Sequence, residues 1–404
     1  MKYVILLGDG MADTPVPELG GRTPLEAARH PALDRMAQYG EFGMARTIPP
    51  GLHPGSDTAN LAVFGYDPRR YYSGRSPLEA VSLGIPLRDE DVSYRCNFVC
   101  LSGEAALEDT RMLDYCAGEI SSAEAETLVK DINAALAAED ARLHPGFSYR
   151  QCFVLSPGAT GAVLTPPHDL SGRPVRGHLP RGMNAELLLR WMERARELLK
   201  DHPVNRARER RGLTPANAIW FWGEGRRPAL PAFAEKTGLR GAVISAVDLV
   251  QGIGLCAGMR VIKVPGATGT WRTNFSGKAE AAMRALEDGA DFAYVHLEAP
   301  DECGHQHQVE EKVYAIEQID EKVLGPLLDW LEGRKEGFAA LAMPDHPTPL
   351  TLRTHTAEPV PFALYRGETR RRRDCRYAER AALSCGLTVA EGHTLIDRML
   401  CRGG

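Results

Sequence analysis

The chain has 404 residues, of which 44% are hydrophobic and 25% charged, and its formal net charge is −5. This composition is typical of globular proteins and excludes an intrinsically disordered chain. The acidic balance argues against a protein that binds nucleic acid or a membrane surface. No run of about 18 apolar residues predicts a membrane-spanning helix, and the length predicts two or three domains of about 150 residues each.

The cysteines and the N-terminal segment bear on the compartment. The number of cysteines is odd, and none of the nine lies in a CxxC pair, so no disulfide framework is indicated. The apolar run Tyr3–Leu7 is too short for a signal peptide and is interpreted as a buried strand. We therefore expect a cytoplasmic protein with free thiols.

Apolar segments typical of buried strands alternate with helical patterns along most of the chain. The first such strand is Tyr3–Leu7, which leads directly into Gly8-Asp9-Gly10. Further strands are predicted at Asn217–Trp222, Gly241–Ser245, Arg260–Val264, Phe292–Leu297 and Phe338–Met343, and helices around Pro24–Tyr39, Asp57–Phe64, Asn274–Glu287 and Val309–Leu331. This alternation predicts an α/β core with a mainly parallel sheet sandwiched between helices.

Residues 91–180 have a different pattern. The predicted elements here are the strands Ser93–Leu101, Gln151–Leu155 and Ala162–Leu164, and one helix over residues 123–139. The segment ends in a long stretch rich in proline and glycine. We interpret residues 91–180 as a smaller α+β domain, inserted into a discontinuous core of residues 1–90 and 181–404.

Acidic residues follow three of the predicted core strands. Asp9 comes after the first strand, and Asp301 and Asp345 come after two later ones. A single aspartate at such a place is more often a turn residue or a helix cap. Here histidines accompany two of the three aspartates. His305 follows Asp301, and His346 and His355 follow Asp345. Ligands gather at the carboxyl ends of parallel strands, and mixed Asp and His donors suit Mn²⁺ or Zn²⁺ better than Ca²⁺.

Ser56 lies in the segment HPGSDTANLAVFGYDP, at the predicted start of a helix. It is either a helix cap or a nucleophile whose hydroxyl is activated by a metal ion and by the helix N-terminus. The spacing alone leaves both interpretations open. Rival nucleotide motifs are weak: no GxxxxGK[ST] occurs, and Gly252-Ile253-Gly254 falls within a helical pattern instead of following a strand.

The order of these residues resembles the alkaline phosphatase superfamily. The segments GDGMAD, PGSDTANLAVFGYDP, YYSGRSPLEA and PGATGT resemble the cofactor-independent phosphoglycerate mutases of the shorter, archaeal type. The resemblance covers essentially the whole chain. It implies an alkaline phosphatase-like α/β core with an inserted α+β domain that closes over the site and contacts the substrate.

The resemblance also implies two divalent metal ions, Mn²⁺, Mg²⁺ or Zn²⁺. One would be held by Asp9, Ser56, Asp345 and His346, and the other by Asp301, His305 and His355. In such enzymes the serine takes the phosphoryl group from 3-phosphoglycerate and returns it to the neighbouring hydroxyl, which yields 2-phosphoglycerate. The implied partner is thus a small phosphorylated metabolite; the sequence does not predict an oligomeric state.

One segment departs from this family pattern. Where the archaeal relatives have an arginine-rich stretch, the chain has Asp114-Tyr115-Cys116-Ala117-Gly118-Glu119, and Trp222 also stands in place of an arginine. This segment resembles that of a bacterial branch proposed to act as homoserine kinases. The alternative activity is therefore that of a phosphotransferase that uses a nucleotide donor. A non-catalytic metal- and phosphate-binding protein is a weaker one. The candidates for substrate contacts are Arg75, Arg95, Asn97, Asp114, Arg226 and Lys278, whereas His296 is expected to be a core histidine.

Overall fold

The computed structural model describes residues 1–136, 138, 140–367 and 372–401. The chain divides into two units. Met1–Tyr72 and Ala229–Gly404 form the first, which we call the core unit, and Ser73–Pro228 form the second, which we call the inserted unit.

The strands and helices of both units are numbered along the chain. The strands are β1 (Lys2–Gly8), β2 (Glu41–Ala45), β3 (Val92–Leu101), β4 (Met112–Asp114), β5 (Ala141–His144), β6 (Arg150–Leu155), β7 (Ala162–Val163), β8 (Arg181–Gly182), β9 (Ala218–Gly225), β10 (Gly241–Ile244), β11 (Arg260–Ile262), β12 (Phe292–Leu297), β13 (Phe338–Met343), β14 (Val360–Tyr365) and β15 (Thr388–Val389). The helices are α1 (Pro24–Ala27), α2 (Pro31–Tyr39), α3 (Ser56–Val63), α4 (Pro68–Tyr71), α5 (Ser76–Ser82), α6 (Ser122–Leu136), α7 (Ala185–Leu199), α8 (Pro203–Arg210), α9 (Phe233–Thr237), α10 (Asp248–Cys256), α11 (Phe275–Glu287), α12 (Ala299–His305), α13 (Val309–Ile319), α14 (Gly325–Glu332), α15 (Glu379–Ser384) and α16 (Leu395–Met399).

Among the described residues, the core unit contains an eight-stranded sheet in the order β11-β10-β12-β1-β13-β14-β2-β15. The strands from β11 to β13 run parallel, and β14 is antiparallel to both of its neighbours. The central strands are apolar on both faces because helices cover both, which explains their continuous hydrophobic runs. The mixed α/β fold with a mainly parallel sheet is thus confirmed. Since β1 lies between β12 and β13, the carboxyl ends of these three strands meet at one edge.

The inserted unit is built on a second, antiparallel sheet. In the described part of the chain its order is β4-β3-β6-β5, with β9 on the other side of β3. Helix α7 packs on this sheet, with the Trp191 ring 4.8 Å from the ring of Phe153. The segment Asn217–Trp222, predicted as a strand of the core sheet, therefore belongs to the inserted unit as part of β9, and this unit extends well beyond residues 91–180 at both ends.

Several helices differ in detail from the prediction. The helix predicted around Pro24–Tyr39 is interrupted, because Ala28 is extended and Pro31 begins a new helix. Helix α6 ends at Leu136, and residues 137 and 139 at its predicted end lie outside the described residues. A π-helical stretch, Asp320–Leu324, joins α13 to α14. Within the described ranges, no helix is long and apolar enough to span a membrane.

Candidate active site

Three aspartates lie at the ends of the three central strands of the core sheet. Asp9 directly follows β1, Asp345 follows β13, and Asp301 lies on α12, which begins two residues after β12. All three side chains are buried. The parallel register of the strands brings them to one edge of the sheet, as the sequence predicts.

A first group of potential ligands surrounds His346. Its Nε2 atom lies 3.6 Å from Asp9 Oδ1, 3.4 Å from Asp345 Oδ2 and 3.1 Å from the hydroxyl oxygen of Ser56. Atoms of Asp9, Asp345 and His346 are close enough to one another to hold a single metal ion. The four side chains expected to act together are thus neighbours.

A second group forms around Asp301. Its Oδ2 atom lies 3.2 Å from His305 Nε2, its Oδ1 atom lies 3.4 Å from His355 Nε2, and the two histidine nitrogens are 2.9 Å apart. His346 also belongs to a possible metal-binding group with Asp301 and His355. The two groups are therefore contiguous, and all seven expected ligands lie in the core unit.

The position of Ser56 follows from the geometry of α3. Gly55 is the residue that precedes the helix, and Ser56 is the first helical residue, so the serine does not act as the helix cap. Its hydroxyl instead faces His346, at the positive end of the helix dipole. In the next turn, the Asn60 side chain donates a hydrogen bond to Asp345 Oδ2 at 2.9 Å and so connects the helix to the ligand group.

Further hydrogen bonds fix the orientation of the candidate ligands. The Thr348 hydroxyl donates to Asp301 Oδ1 at 2.5 Å and lies 3.2 Å from His346 Nδ1, so one side chain contacts both groups. His305 Nδ1 lies 3.0 Å from the carbonyl oxygen of Arg353. Thr47 donates to the carbonyl oxygen of Asp345. Such outer contacts set the direction in which each ligand atom points.

The electrostatics differ between the two groups. Burial, with the negative charges of Asp345 and Asp301, raises the pKa of Asp9 well above its ordinary value. Burial alone would also raise the pKa of Asp301, but hydrogen bonds from His305 and His355 hold it well below its ordinary value. Burial alone would lower the pKa of His305, whereas its contact with Asp301 raises it to about 9. Negative charge is therefore less compensated at Asp9 than at Asp301.

The donor set fits a divalent cation. Asp9 Oδ1 is a buried oxygen with no hydrogen-bond partner in the described part of the chain. A buried carboxylate oxygen without a partner is unfavourable, and a cation relieves both the desolvation and the repulsion between the aspartates. Carboxylate and imidazole groups together are donors suited to Mn²⁺ and Zn²⁺.

Two core-unit residues stand in unexpected places. His296, expected to be an ordinary core histidine, lies with Nε2 2.9 Å from Asp9 Oδ2, and burial together with Lys278 lowers its pKa to about 3. Lys278, a candidate for a substrate contact, is itself buried and donates to the carbonyl oxygen of His296 at 2.9 Å. The prediction of a core histidine is right, but the sequence did not identify Asp9 as its partner, because a histidine inside a strand has no local signal of its partner on the next strand.

Three of the other candidate residues form a cluster in the inserted unit. Arg75 Nε and Arg95 Nε each lie 2.9 Å from a different carboxylate oxygen of Glu79. The Arg95 guanidinium stacks 3.9 Å from the ring of Trp222, whose Nε1 donates to Asn97 Oδ1 at 2.9 Å. Burial alone would raise the pKa of Glu79, but Arg95 and Arg75 lower it, so the single negative charge of Glu79 offsets only one of the two arginine charges.

The remaining two candidates hold segments of their own unit. Asp114 accepts hydrogen bonds from the backbone N–H groups of Cys116, at 2.9 Å, and Gly118, at 2.6 Å, and from the Cys116 thiol at 3.0 Å. Arg226 donates to the carbonyl oxygens of Asp89 and Gly158. Both side chains are thus engaged with neighbouring segments of the inserted unit.

Comparisons with known proteins agree with these observations. The family model of 2,3-bisphosphoglycerate-independent phosphoglycerate mutase matches residues 37–205. A protein of that name from Methanothrix thermoacetophila is 51% identical over 403 residues, which cover 100% of both chains. A probable 2,3-bisphosphoglycerate-independent phosphoglycerate mutase from Geobacter sulfurreducens is 50% identical over 404 residues, again with 100% of both chains covered.

Two solved structures extend the likeness to the fold. The PH0037 protein from Pyrococcus horikoshii is 30% identical with a TM-score of 0.83, covering 100% of this chain and 98% of that one. The cofactor-independent phosphoglycerate mutase from Thermoplasma acidophilum is 26% identical with a TM-score of 0.66, covering 100% of both chains. Together with the curated relatives, which match over their full length, these findings show that the chain belongs to the family of 2,3-bisphosphoglycerate-independent phosphoglycerate mutases.

Proposed function

We propose that the protein interconverts 3-phosphoglycerate and 2-phosphoglycerate through a phosphoserine at Ser56, with two bound divalent metal ions. We base this on the position of the Ser56 hydroxyl, 3.1 Å from His346 Nε2 among the ligand groups at the strand ends. The relatives that match over the full chain are named as phosphoglycerate mutases, which supports this substrate.

In this proposal, Asp9, Ser56, Asp345 and His346 hold one ion, and Asp301, His305 and His355 hold the other. When bound, the two ions would favour the ionised serine hydroxyl and offset the negative charge of the phosphoryl group. The chain's own contribution is a rigid set of donors, because Asn60 and Thr348 keep Asp345, Asp301 and His346 in place.

The transfer itself requires no co-reactant. The Ser56 oxygen forms a bond to phosphorus as the bond between phosphorus and the C3 oxygen breaks, and the proton that leaves Ser56 ends on the C3 hydroxyl. The C2 hydroxyl oxygen then takes the phosphoryl group, and its proton returns to Ser56. The dipole at the start of α3 favours the anionic phosphoryl group at this position.

We assign substrate recognition to Arg75 and Arg95 of the inserted unit. Guanidinium groups bind carboxylate and phosphate through paired hydrogen bonds, and the two arginines with Glu79 leave a net positive charge. Asn97 contributes indirectly to substrate recognition, because its side chain holds the Trp222 ring on which Arg95 stacks. Lys278 contributes a buried positive charge near Asp9.

The alternative activity, phosphorylation of homoserine with a nucleotide donor, is less well supported. It needs a carboxylate that meets the substrate ammonium, and the segment that departs from the family pattern offers two candidates for this role, Glu119 and the carboxylate of Asp114. That carboxylate already accepts three hydrogen bonds within its own turn. We favour the mutase, because the relatives that match over the full chain are named as phosphoglycerate mutases.

The decisive experiment measures turnover of 3-phosphoglycerate by the purified protein with Mn²⁺, beside homoserine with ATP. We expect turnover of the first substrate only. Ser56→Ala should reduce the rate at least about 1,000-fold, because the nucleophile is lost, and should abolish the phosphopeptide that contains residue 56 in acid-quenched samples.

A matched control is Ser384→Ala. Ser384 is a helical serine whose hydroxyl donates to the carbonyl oxygen of Arg380 in its own helix, so its replacement should leave turnover and the phosphopeptide unchanged. Substantial turnover by folded Ser56→Ala would contradict the phosphoserine mechanism. Turnover of homoserine with ATP, without turnover of 3-phosphoglycerate, would contradict the proposed substrate.

A further inference from the structure

Asp9 is a ligand whose two carboxylate oxygens have different surroundings. Its Oδ2 atom lies 2.9 Å from His296 Nε2, whereas its Oδ1 atom is buried, has no hydrogen-bond partner among the described residues and lies 3.6 Å from His346 Nε2. One oxygen is thus held from behind, and the other faces the ligand group. The rotation of the carboxylate depends on the group that binds Oδ2.

The contact to Asp9 is the end of a chain of hydrogen bonds that crosses three neighbouring strands. His296 lies on β12, opposite Leu7 of β1, which leads into Asp9. On the other side, β10 pairs with β12 so that Ser245 follows the last paired residue and lies beside His296. The Ser245 hydroxyl oxygen is 3.2 Å from His296 Nδ1, and both residues are buried.

The hydrogen-bond partners determine which nitrogen of His296 carries the proton. With a metal ion bound, Asp9 is an ionised carboxylate, which only accepts hydrogen bonds, so Nε2 donates to it, and in a neutral ring Nδ1 is then an acceptor. Ser245 can meet this need, because its oxygen accepts the backbone N–H of Val247 at 3.0 Å and its own hydrogen is free to point at Nδ1. The turn that precedes helix α10 thus orients the Ser245 hydroxyl, and this hydroxyl orients the His296 ring.

We propose that His296, with its tautomer set by Ser245, is the positioning residue for Asp9: it holds Oδ2 so that Oδ1 points at the metal ion. This inference rests on the proposed two-metal function, and it adds two residues that the sequence pattern does not single out. An outer partner that binds a metal ligand commonly changes metal affinity by about 10–100-fold when it is removed.

The test measures Mn²⁺ binding by calorimetric titration of the EDTA-stripped protein, with the Mn²⁺ resonance signal as a second readout. We expect two ions in the unsubstituted protein. His296→Phe keeps a ring but removes the donor. It should lower the affinity for one of the two ions by about 10–100-fold and leave the affinity for the other unchanged. His296→Gln should restore part of the affinity, because its amide can donate to Asp9.

Two further variants separate positioning from general stability. Ser245→Ala keeps the His296 ring but removes the group that sets its tautomer, so we expect a smaller loss at the same ion, which decides the matter if His296→Phe does not fold. His30→Gln is the matched control. His30 is also a buried histidine paired with an aspartate, with Nδ1 3.1 Å from Asp34 and Nε2 2.6 Å from the carbonyl oxygen of Leu25. Its replacement should leave Mn²⁺ affinity unchanged.

The outcomes distinguish this proposal from the one on which it rests. Folded His296→Phe and Ser245→Ala with unchanged affinity for both ions would overturn the positioning role and leave the metal centre intact. An equal loss in His30→Gln would also overturn it, because the effect would then be one of general stability. An unsubstituted protein that binds no Mn²⁺ would overturn the proposed metal centre itself and with it the role of His296.

Discussion

At the scale of single residues, Gly10 limits how closely the ligand-bearing loops can approach. Its φ is +60°, and a Cβ atom at this position would lie 2.6 Å from the Cα and Oδ1 atoms of Asp301 and from the hydroxyl oxygen of Thr348. Its N–H donates to Asp345 Oδ1 at 3.1 Å. The backbone of this residue, which itself follows β1, thus touches the segments that follow β12 and β13, and only glycine leaves room for them.

This geometry predicts that Gly10→Ala disrupts the site more than it disrupts the fold elsewhere. Gly20→Ala is a close control, because Gly20 has a φ of +66° but open space around its Cα. The left-handed conformation alone should cost about 1–2 kcal/mol of unfolding free energy in Gly20→Ala. Gly10→Ala should cost more, since Asp301 must move, and should also weaken Mn²⁺ binding. Urea unfolding and Mn²⁺ titration of both variants check this, and equal effects of the two variants on Mn²⁺ affinity would contradict it.

At the scale of elements, the start of α2 depends on an ion pair. His30 precedes the helix, and its Nδ1 atom lies 3.1 Å from Asp34 Oδ1 in the first turn. Burial alone would lower the pKa of His30, but Asp34 raises it above its ordinary value of 6.5. Burial alone would raise the pKa of Asp34, but His30 lowers it below its ordinary value of 3.8. Both charges therefore stabilise the folded chain between these two ordinary values.

The ion pair predicts that the effect of His30→Gln on the free energy of unfolding depends on pH. A raised histidine pKa contributes its full stability below pH 6.5 and loses it as the pH rises through the folded value. We expect the variant to be less stable by about 1–3 kcal/mol near pH 5.5, because the Asp34 carboxylate loses its charged partner, and by less near pH 9. Urea unfolding at the two pH values measures the difference, and a penalty that grows towards pH 9 would contradict the ion pair.

Among the strands, some were predictable from the sequence and one was assigned to the wrong sheet. The strands β1, β12 and β13 were predictable because parallel strands covered on both faces are continuous apolar runs. The segment of β9 is equally apolar but pairs with β3 in an antiparallel sheet. Its hydrophobicity reports burial and not the partner strand, so the sequence placed it in the wrong sheet.

At the scale of the whole molecule, the site combines features that the local sequence predicts with contacts between distant segments that it does not predict. The clustering of Asp9, Asp301 and Asp345 was predictable because each follows an apolar strand, and strand order brings such ends together. The roles of Ser245 and His296 were not, because each depends on a side chain from a different strand. Likewise the pairing of Arg75 with Arg95 through Glu79 is visible only once α5 lies on β3.

The division into two units predicts where metal binding should stabilise the chain. All seven expected ligands belong to the core unit, and none to the inserted unit. A ligand that binds only the folded state at about 100 times its dissociation constant adds about 2.7 kcal/mol of stability. Hydrogen exchange of the EDTA-stripped protein should therefore slow on addition of Mn²⁺ in peptides that cover residues 1–12, 292–305 and 338–355.

Peptides from β3 and β6 provide the internal comparison, because these strands carry none of the expected ligands. We expect their exchange to change little, since binding free energy protects the segments whose opening releases the ion. Ca²⁺ at the same concentration should protect the core-unit peptides less, because imidazole nitrogens suit Mn²⁺ better than a cation that prefers oxygen donors. Protection confined to the inserted unit, or none at all, would contradict a metal centre at the ends of β1, β12 and β13.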